Sequence, residues 1–242
     1  MLVSAAVCPH PPVLVPEMAG EAAPELDAVR AACEEAVRRL RDGDALVVVG
    51  GGPETRSYGP DAYATLQPYG LAWASPEEPH EGAEALPLSL TIGRWLLQRQ
   101  DNVPAMDAAR FEAIAFDASP EECLALGREL AATADRVALL VMGDGSACRS
   151  EQAPGYFDDR ARPHDEAVAR ALGDADTAAL AALDPKTSWE IRAAGRAAWQ
   201  VLAGAARGDA GRARFTAELL ADEAPYGVGY LVAAWSVTGQ SW

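Results

Sequence analysis

The 242-residue chain has few basic residues, and lysine and histidine are especially scarce. Its 20 basic residues stand against 36 acidic ones, giving a formal net charge of −16. Because phosphate groups and anionic lipids would be repelled, we expect neither nucleic acid nor a membrane surface as a partner. Lys186 is the single lysine, so the other basic residues are arginines.

Cysteine motifs, membrane-spanning segments and nucleotide-binding motifs are also missing. The four cysteines have no CxxC spacing, which argues against a zinc ribbon or a disulfide framework. No apolar run has membrane-spanning length, and no signal peptide or lipidation motif is recognisable. Neither GxGxxG nor a P-loop pattern occurs. We therefore expect a cytoplasmic protein with reduced thiols.

The chain does contain short buried-strand patterns separated by helical periodicity. Runs of β-branched and small apolar residues predict strands near 2–7, 45–49, 136–142 and 228–235. Helical spacing between these runs implies parallel pairing through crossover helices. The sequence thus predicts one α/β domain over residues 1–242, with a mostly parallel or mixed central sheet flanked by helices.

The remaining segments are predicted to form a strand, several helices and one long loop or hairpin. The segment 58–84 is rich in proline, glycine and aromatic residues, which is typical of a long loop or hairpin. The other predictions are a strand at 111–116, helices at 21–41 and 86–98, a helix capped by Ser119, broken helices over 163–204, and a helix near 212–220.

His10 occupies the most constrained position among the three histidines. The first strand runs into Pro9-His10-Pro11-Pro12, and this proline-rich turn fixes the imidazole at the carboxyl end of the strand. Ligands bind at that edge in open α/β sheets. His10 is therefore a candidate metal ligand or acid/base, and the alternative is a surface histidine beside a structural turn.

Three further segments are expected at the same edge. The glycine-rich loops 50–54 and 143–148 each follow a predicted strand, and Glu223 precedes the last one. Glycines beside strand ends let backbone amides approach a ligand closely. We expect these segments and His10 to line one cavity. The alternative for each loop is a tight turn that binds nothing.

Several motifs together resemble a known superfamily. Besides the proline-flanked His10, they are the segments 46–50, 86–93, 140–146 and 224–230. In this order they resemble the class III extradiol ring-cleavage dioxygenases, of the type found in the catalytic subunit of protocatechuate 4,5-dioxygenase, and the related Memo-like proteins. The chain looks most like an actinobacterial-type branch with an altered metal site.

The resemblance implies a mononuclear Fe(II) site of two histidines and a carboxylate, open to a catecholate and O₂. It places the first ligand at His10 and the carboxylate at Glu223, with Asp222 as the neighbour that could replace it. The second histidine is absent after the second strand, where Glu54 is the nearby oxygen ligand. A metal site of His10, Glu54 and Glu223 would suit Fe(II), Mn(II) or Mg(II), and the protein would otherwise hold no metal.

The acid/base histidine of the family is also absent, because Ala147 and Cys148 stand in its place. Candidate catalytic substitutes are His80, from the long loop, and Cys148, if glycine amides lower its thiol pKa. A buried structural cysteine is the alternative for Cys148. His164 is interpreted as a solvated residue of a first helical turn.

Arg56 and Arg149 each follow a glycine-rich strand-end loop, so both guanidiniums could hold a ligand carboxylate. Structural ion pairs are the alternative.

Three functions follow from these observations. The first is an enzyme on the dioxygenase scaffold with an altered metal site and little ring cleavage of simple catechols. The second is a metal-free protein that binds a small aromatic or anionic molecule, as a binding or regulatory module. The third is a non-catalytic partner subunit. The resemblance also implies a homo-oligomer.

Overall fold

The structure is a computed structural model, and it describes residues 1–40, 43–100, 109–207 and 214–238. Within these ranges the strands are β1 Leu2–Cys8, β2 Ala45–Gly52, β3 Arg56–Tyr58, β4 Ala64–Thr65, β5 Ala74–Ser75, β6 Arg110–Ala115, β7 Val137–Met142, β8 Phe215–Glu223 and β9 Tyr230–Val237. The helices are α1 Pro16–Ala19, α2 Asp27–Arg38, α3 Leu88–Gln98, α4 Pro120–Ala131, α5 Ala161–Gly173, α6 Thr177–Ala181, α7 Pro185–Glu190 and α8 Arg196–Arg207.

Seven strands form the central sheet in the order β3-β6-β2-β7-β1-β9-β8. The four inner strands β6, β2, β7 and β1 are parallel to one another, whereas β3, β9 and β8 each run antiparallel to the neighbour they join. The predicted α/β fold with a mixed central sheet is confirmed, and the strands expected near 2–7, 45–49, 136–142 and 228–235 all belong to this sheet.

The inner strands are buried on both faces because helices cover both sides of the sheet. Val47 and Val49 of β2 pack into one core cluster with α4, α5 and α8. Leu46 and Val48 of the same strand pack into a second cluster with α2 and α3. Alternate side chains of one strand therefore enter different clusters, which explains the uninterrupted apolar runs in the sequence.

Helix α4 begins as its sequence predicts. The Ser119 side chain accepts the N–H of Glu122, and the Glu122 carboxylate accepts the N–H of Ser119. This reciprocal pair is a capping box, and Pro120 occupies the first helical position, where its missing N–H costs nothing.

Two predicted helices need correction. The helix expected over 21–41 is a 3₁₀ helix over Gly20–Leu26, and α-helical geometry begins at Asp27. Pro24 explains the difference, because it lacks the N–H that an α-helical turn uses. Residues 41–42 lie outside the described ranges.

The helix expected near 212–220 is wrong, because the described part of that segment is strand β8. Phe215, Ala217 and Leu219 pack on the core, whereas Thr216 and Glu218 between them are exposed. This period of two is the signature of a strand with one buried face, and pairing with β9 outweighs the helix propensity of alanine, leucine and glutamate.

No helix in the described ranges combines the length and the apolar character that a membrane crossing requires.

Candidate functional site

The predicted functional segments lie along one edge of the sheet. The parallel strands β1, β2, β6 and β7 have their carboxyl ends at this edge. β8 also ends there and β9 begins there, with Glu223 directly opposite Tyr230. The sheet topology therefore brings His10, the segment 50–54 and the loop 143–148 to the edge that also carries Glu223. Their lining of one shared cavity stays a prediction.

The three predicted metal ligands are spread along this edge. Three strands separate β2 from β8, and neighbouring strands lie about 4.8 Å apart, so roughly 19 Å separates these two strands. Glu54 follows the end of β2, and Glu223 is the last residue of β8. The Glu54 side chain is 65% exposed and contacts Arg56 at 3.2 Å, and Glu223 is exposed. Within the described ranges, no group of three histidine, cysteine or acidic residues is placed to hold a metal. His10, Glu54 and Glu223 therefore do not fit one Fe(II), Mn(II) or Mg(II) ion.

His10 instead pairs with Asp144, 134 positions later in the chain. Its backbone N–H donates to Asp144 Oδ1 at 2.7 Å, and its ring Nδ1 lies 3.8 Å from the same oxygen. His10 is 5% exposed. Nδ1 is enclosed without a hydrogen-bond partner. Nε2 has no partner among the described residues either, but it is not enclosed, so solvent reaches it. We call His10, Asp144 and Tyr230 the His10 centre.

His10 and Asp144 are positioned by contacts between the ends of β1 and β7. Val7 and Cys8 end β1 beside Val141 and Met142 of β7, and the N–H of Gly143 donates to the Cys8 carbonyl at 2.9 Å. The next residues of both loops are thus held side by side. The prolines after His10 then start a 3₁₀ turn at Pro12, which keeps the imidazole near the strand end.

Burial governs the electrostatics of the His10 centre. Desolvation raises the pKa of the Asp144 carboxyl, and the nearby His10 opposes this rise. Desolvation also raises the pKa of Tyr230, with the Asp144 charge adding to the effect. Burial and the neighbouring Cys8 raise the pKa of the Cys33 thiol.

The loop after β7 is fixed by close contact with a second loop. Gly145 donates to the Gly229 carbonyl at 2.7 Å, and Gly229 donates to the Ser146 carbonyl at 2.9 Å. The buried Asp165 carboxylate lies against both glycines, where a Cβ would stand 2.8 Å and 2.2 Å from its oxygens. Asp165 also accepts the Ser146 N–H at 2.9 Å. These positions require glycine because no side chain fits beside the carboxylate.

The arginines predicted to bind a ligand have carboxylate partners in the protein. Arg149 lies 3.3 Å from Asp165 and 3.9 Å from Asp222. Arg56 donates to both oxygens of Glu84, at 2.7 Å and 2.6 Å. The structural ion pairs considered as the alternative are therefore present, and the two guanidiniums do not share one carboxylate partner.

The two predicted catalytic substitutes lie outside the His10 centre. His80 is exposed in a turn, and its ring has no hydrogen-bond partner among the described residues. Burial raises the pKa of the Cys148 thiol, which contacts the Gly155 carbonyl at 3.2 Å. A lowered pKa was the condition for a catalytic role of Cys148; the pKa is raised instead, because desolvation outweighs the lowering effect of the nearby Ser146 side chain.

His164 is less solvated than predicted. Its side chain is 10% exposed, Nδ1 lies 3.3 Å from Asp165, and Nε2 lies 3.4 Å from the Ser188 hydroxyl.

Sequence reasoning missed the role of Asp144. The segment Gly143-Asp144-Gly145 directly follows a buried strand, and an acidic residue at such a strand end is a recognisable signal. Nothing in the sequence shows that this carboxylate faces His10.

Comparisons with known proteins add little to this geometry. No protein-family model matches the chain, and no curated protein matches it. Among solved structures, it is similar to the uncharacterized protein JW3007 from Escherichia coli K12, at 13% identity and a TM-score of 0.49. The likeness covers 97% of this chain and 99% of that one. At this identity and score it carries no functional information.

Proposed function

We propose that the protein binds a small hydroxyl-bearing organic molecule at the carboxyl edge of its sheet and exchanges a proton with it through His10. The observation that supports this proposal is a histidine with its inner nitrogen turned to a carboxylate and its outer nitrogen without a partner among the described residues. Such a pair is the usual arrangement of a general base and the group that orients it.

The two ring nitrogens would have different tasks. With its proton on Nδ1, facing Asp144, the neutral imidazole keeps the lone pair of Nε2 for a ligand hydroxyl. When Nε2 takes the ligand proton, the resulting imidazolium is stabilised by the Asp144 carboxylate. The present 3.8 Å separation would have to shorten by about 1 Å to give a hydrogen bond, a closure typical of ligand binding.

The proposed proton transfer uses no iron, although the chain still resembles the dioxygenase scaffold. Fe(II) would supply O₂ activation, but Glu54 and Glu223 do not fit a shared ion with His10. Ring cleavage, homo-oligomer formation and a cytoplasmic location stay predictions.

The three histidines make a direct test practical. In ¹⁵N-labelled protein, long-range proton–nitrogen spectra would assign the tautomer of each ring. We expect neutral His10 to carry its proton on Nδ1, and catechol or protocatechuate to shift its Nε2 resonance. Asp144→Asn should change the His10 signals, whereas Asp184→Asn, an exposed helix cap, should not.

Two results would contradict the proposal. One is a His10 ring that carries its proton on Nε2 in the wild-type protein. The other is a set of His10 resonances that neither phenol moves at millimolar concentration.

A further inference from the structure

A cavity of about 380 Å³ lies between the loop after β6, helix α7 and the start of α8. Its lining includes Phe116, Trp189, Arg192, Arg196 and small neighbouring residues. We call it the arginine cavity. Small-molecule sites commonly have volumes of about 300–1,000 Å³, so this space can hold a compact organic ligand.

Arg196 places a buried positive charge at the wall of this cavity. The residue is 3% exposed. Its guanidinium donates to the carbonyls of Ala118 at 2.5 Å and Phe116 at 2.6 Å, and to the Gln200 side chain at 3.0 Å. These acceptors are neutral, and no carboxylate within the described ranges pairs with Arg196. Because buried charges in proteins are normally paired, this one calls for a counter-ion.

Arg192 supplies a second positive charge on the same cavity. It is exposed, and in the part of the chain that the structure describes its guanidinium has neither a hydrogen bond nor a carboxylate partner. Its backbone has φ of 55°, a left-handed conformation that is unusual for arginine. Hydrogen bonds from the Arg192 N–H to Trp189 and from the Ala193 N–H to Ser188 hold this turn.

The start of α8 adds a third source of positive potential. Gly195 donates to the Asp144 carbonyl and Trp199 donates to the Gly195 carbonyl. The intervening N–H groups of Arg196, Ala197 and Ala198 lie in the first turn of α8, where an α-helix provides no intrahelical acceptor. Free N–H groups and the helix dipole both favour an anion at this end.

Several arginines elsewhere in the molecule do pair with carboxylates. With 36 acidic residues against 20 basic ones, carboxylates are plentiful. Arg56, Arg149 and Arg160 all have carboxylate partners. Arg192 and Arg196 have none among the described residues, although they line the same cavity.

We propose that the arginine cavity binds a small organic anion, a carboxylate or a phosphate carried on an aromatic or apolar body. The guanidiniums and the helix end would hold the charged group, with Arg offering several N–H donors to its oxygens. Phe116 and Trp189, which are 39% and 70% exposed, would cover the apolar body. This site is independent of proton transfer at His10.

Isothermal titration calorimetry with benzoate, phenyl phosphate and benzamide tests the proposal at low ionic strength. Benzamide has the shape of benzoate without its charge. We expect at least one anion to bind about tenfold or more tightly than benzamide, as charge-assisted hydrogen bonds imply. Comparison of benzoate with phenyl phosphate identifies which charged group the cavity prefers.

Variants assign the binding to the cavity. Arg192→Ser and Arg196→Met should each weaken anion binding about tenfold or more, and Arg196→Lys should weaken it less because it keeps the charge. Arg128→Ser removes an exposed arginine from α4, outside the lining, and should bind as the wild type does.

The proposal fails if benzamide binds as tightly as both anions, or if neither anion binds at millimolar concentration. It also fails if Arg192→Ser retains wild-type affinity. Because Arg192 is exposed, that variant tests the site even if Arg196→Met does not fold.

Discussion

The His10 centre and the arginine cavity lie at the same edge of the sheet, but their chemistry is opposite. The His10 centre pairs an imidazole whose side chain is 7% exposed with a carboxylate whose side chain is 14% exposed. The arginine cavity is open, and its charged side chains are both cationic. The comparison shows that the local charge along this edge varies in sign although the whole chain has a net charge of −16.

The two regions are physically connected. The Asp144 carbonyl accepts the Gly195 N–H at 2.7 Å, directly before the first residue of α8. The Asp144 side chain faces His10, so one residue contacts both regions. A substitution that displaces the loop after β7 should therefore disturb both, whereas a substitution in one region should leave the other intact.

We expect the largest loss of unfolding free energy from Gly229→Ala. Its Cβ would stand 2.2 Å from an oxygen of buried Asp165, and such overpacking costs about 3 kcal/mol or more when the neighbour cannot move. Urea denaturation would measure the loss of unfolding free energy. Gly59→Ala is the matched control, because nothing lies within 4 Å of its Cβ position. A loss below about 1 kcal/mol for Gly229→Ala would show that the loop yields and does not hold the two regions together.

We expect a smaller change in unfolding free energy from Asp144, the acid of the His10 centre. Its dependence on pH should distinguish Asp144 from a surface carboxylate. Because burial raises the pKa of Asp144 above its usual 3.8, the folded protein binds this proton more readily than the unfolded chain does. The stability that Asp144 contributes is therefore present below pH 3.8 and is lost as the pH rises through the folded pKa. The unfolding free energy of the wild type, relative to Asp144→Asn, should fall over that range.

Asp158→Asn gives the contrasting control. The hydrogen bond from Arg160 lowers the pKa of Asp158 to about 2, so its stabilising effect is constant above pH 3.8 and is lost as the pH falls towards 2. Urea denaturation of the three proteins between pH 4 and 7 would separate the two behaviours. A wild-type advantage over Asp144→Asn that grows with pH would contradict the assigned direction.

The sheet was predictable where a short apolar run had to be buried on both faces, as in β1, β2 and β7. Strand β8 was missed because it lies at the edge of the sheet. Its side chains alternate between core and solvent, and its alanine, leucine and glutamate content resembles that of a helix.

The position of His10 was predictable from the sequence, but its pairing with Asp144 was not. A strand followed by prolines places His10 at the sheet edge from local sequence alone. Its pairing with Asp144 spans 134 residues, and the hydrogen bond from Arg196 to the Phe116 carbonyl spans 80 residues. Such contacts depend on how loops from distant segments meet, so local spacing could neither find them nor show that Glu54 and Glu223 lie apart.

The smallest change in unfolding free energy is expected for Glu54→Gln, and this substitution also tests the predicted metal site. Glu54 is an exposed partner of Arg56, which Glu84 also holds. Exposed ion pairs contribute about 0–1 kcal/mol, so Glu54→Gln should change the unfolding free energy by less than about 0.5 kcal/mol. It should also leave the His10 tautomer and benzoate binding unchanged. Elemental analysis of wild-type, Glu54→Gln and His10→Ala protein, purified without chelator, provides the decisive readout. A stoichiometric metal lost from both variants would mean that Glu54 and His10 share an ion after all, and the proton-transfer role proposed for His10 would have to be abandoned.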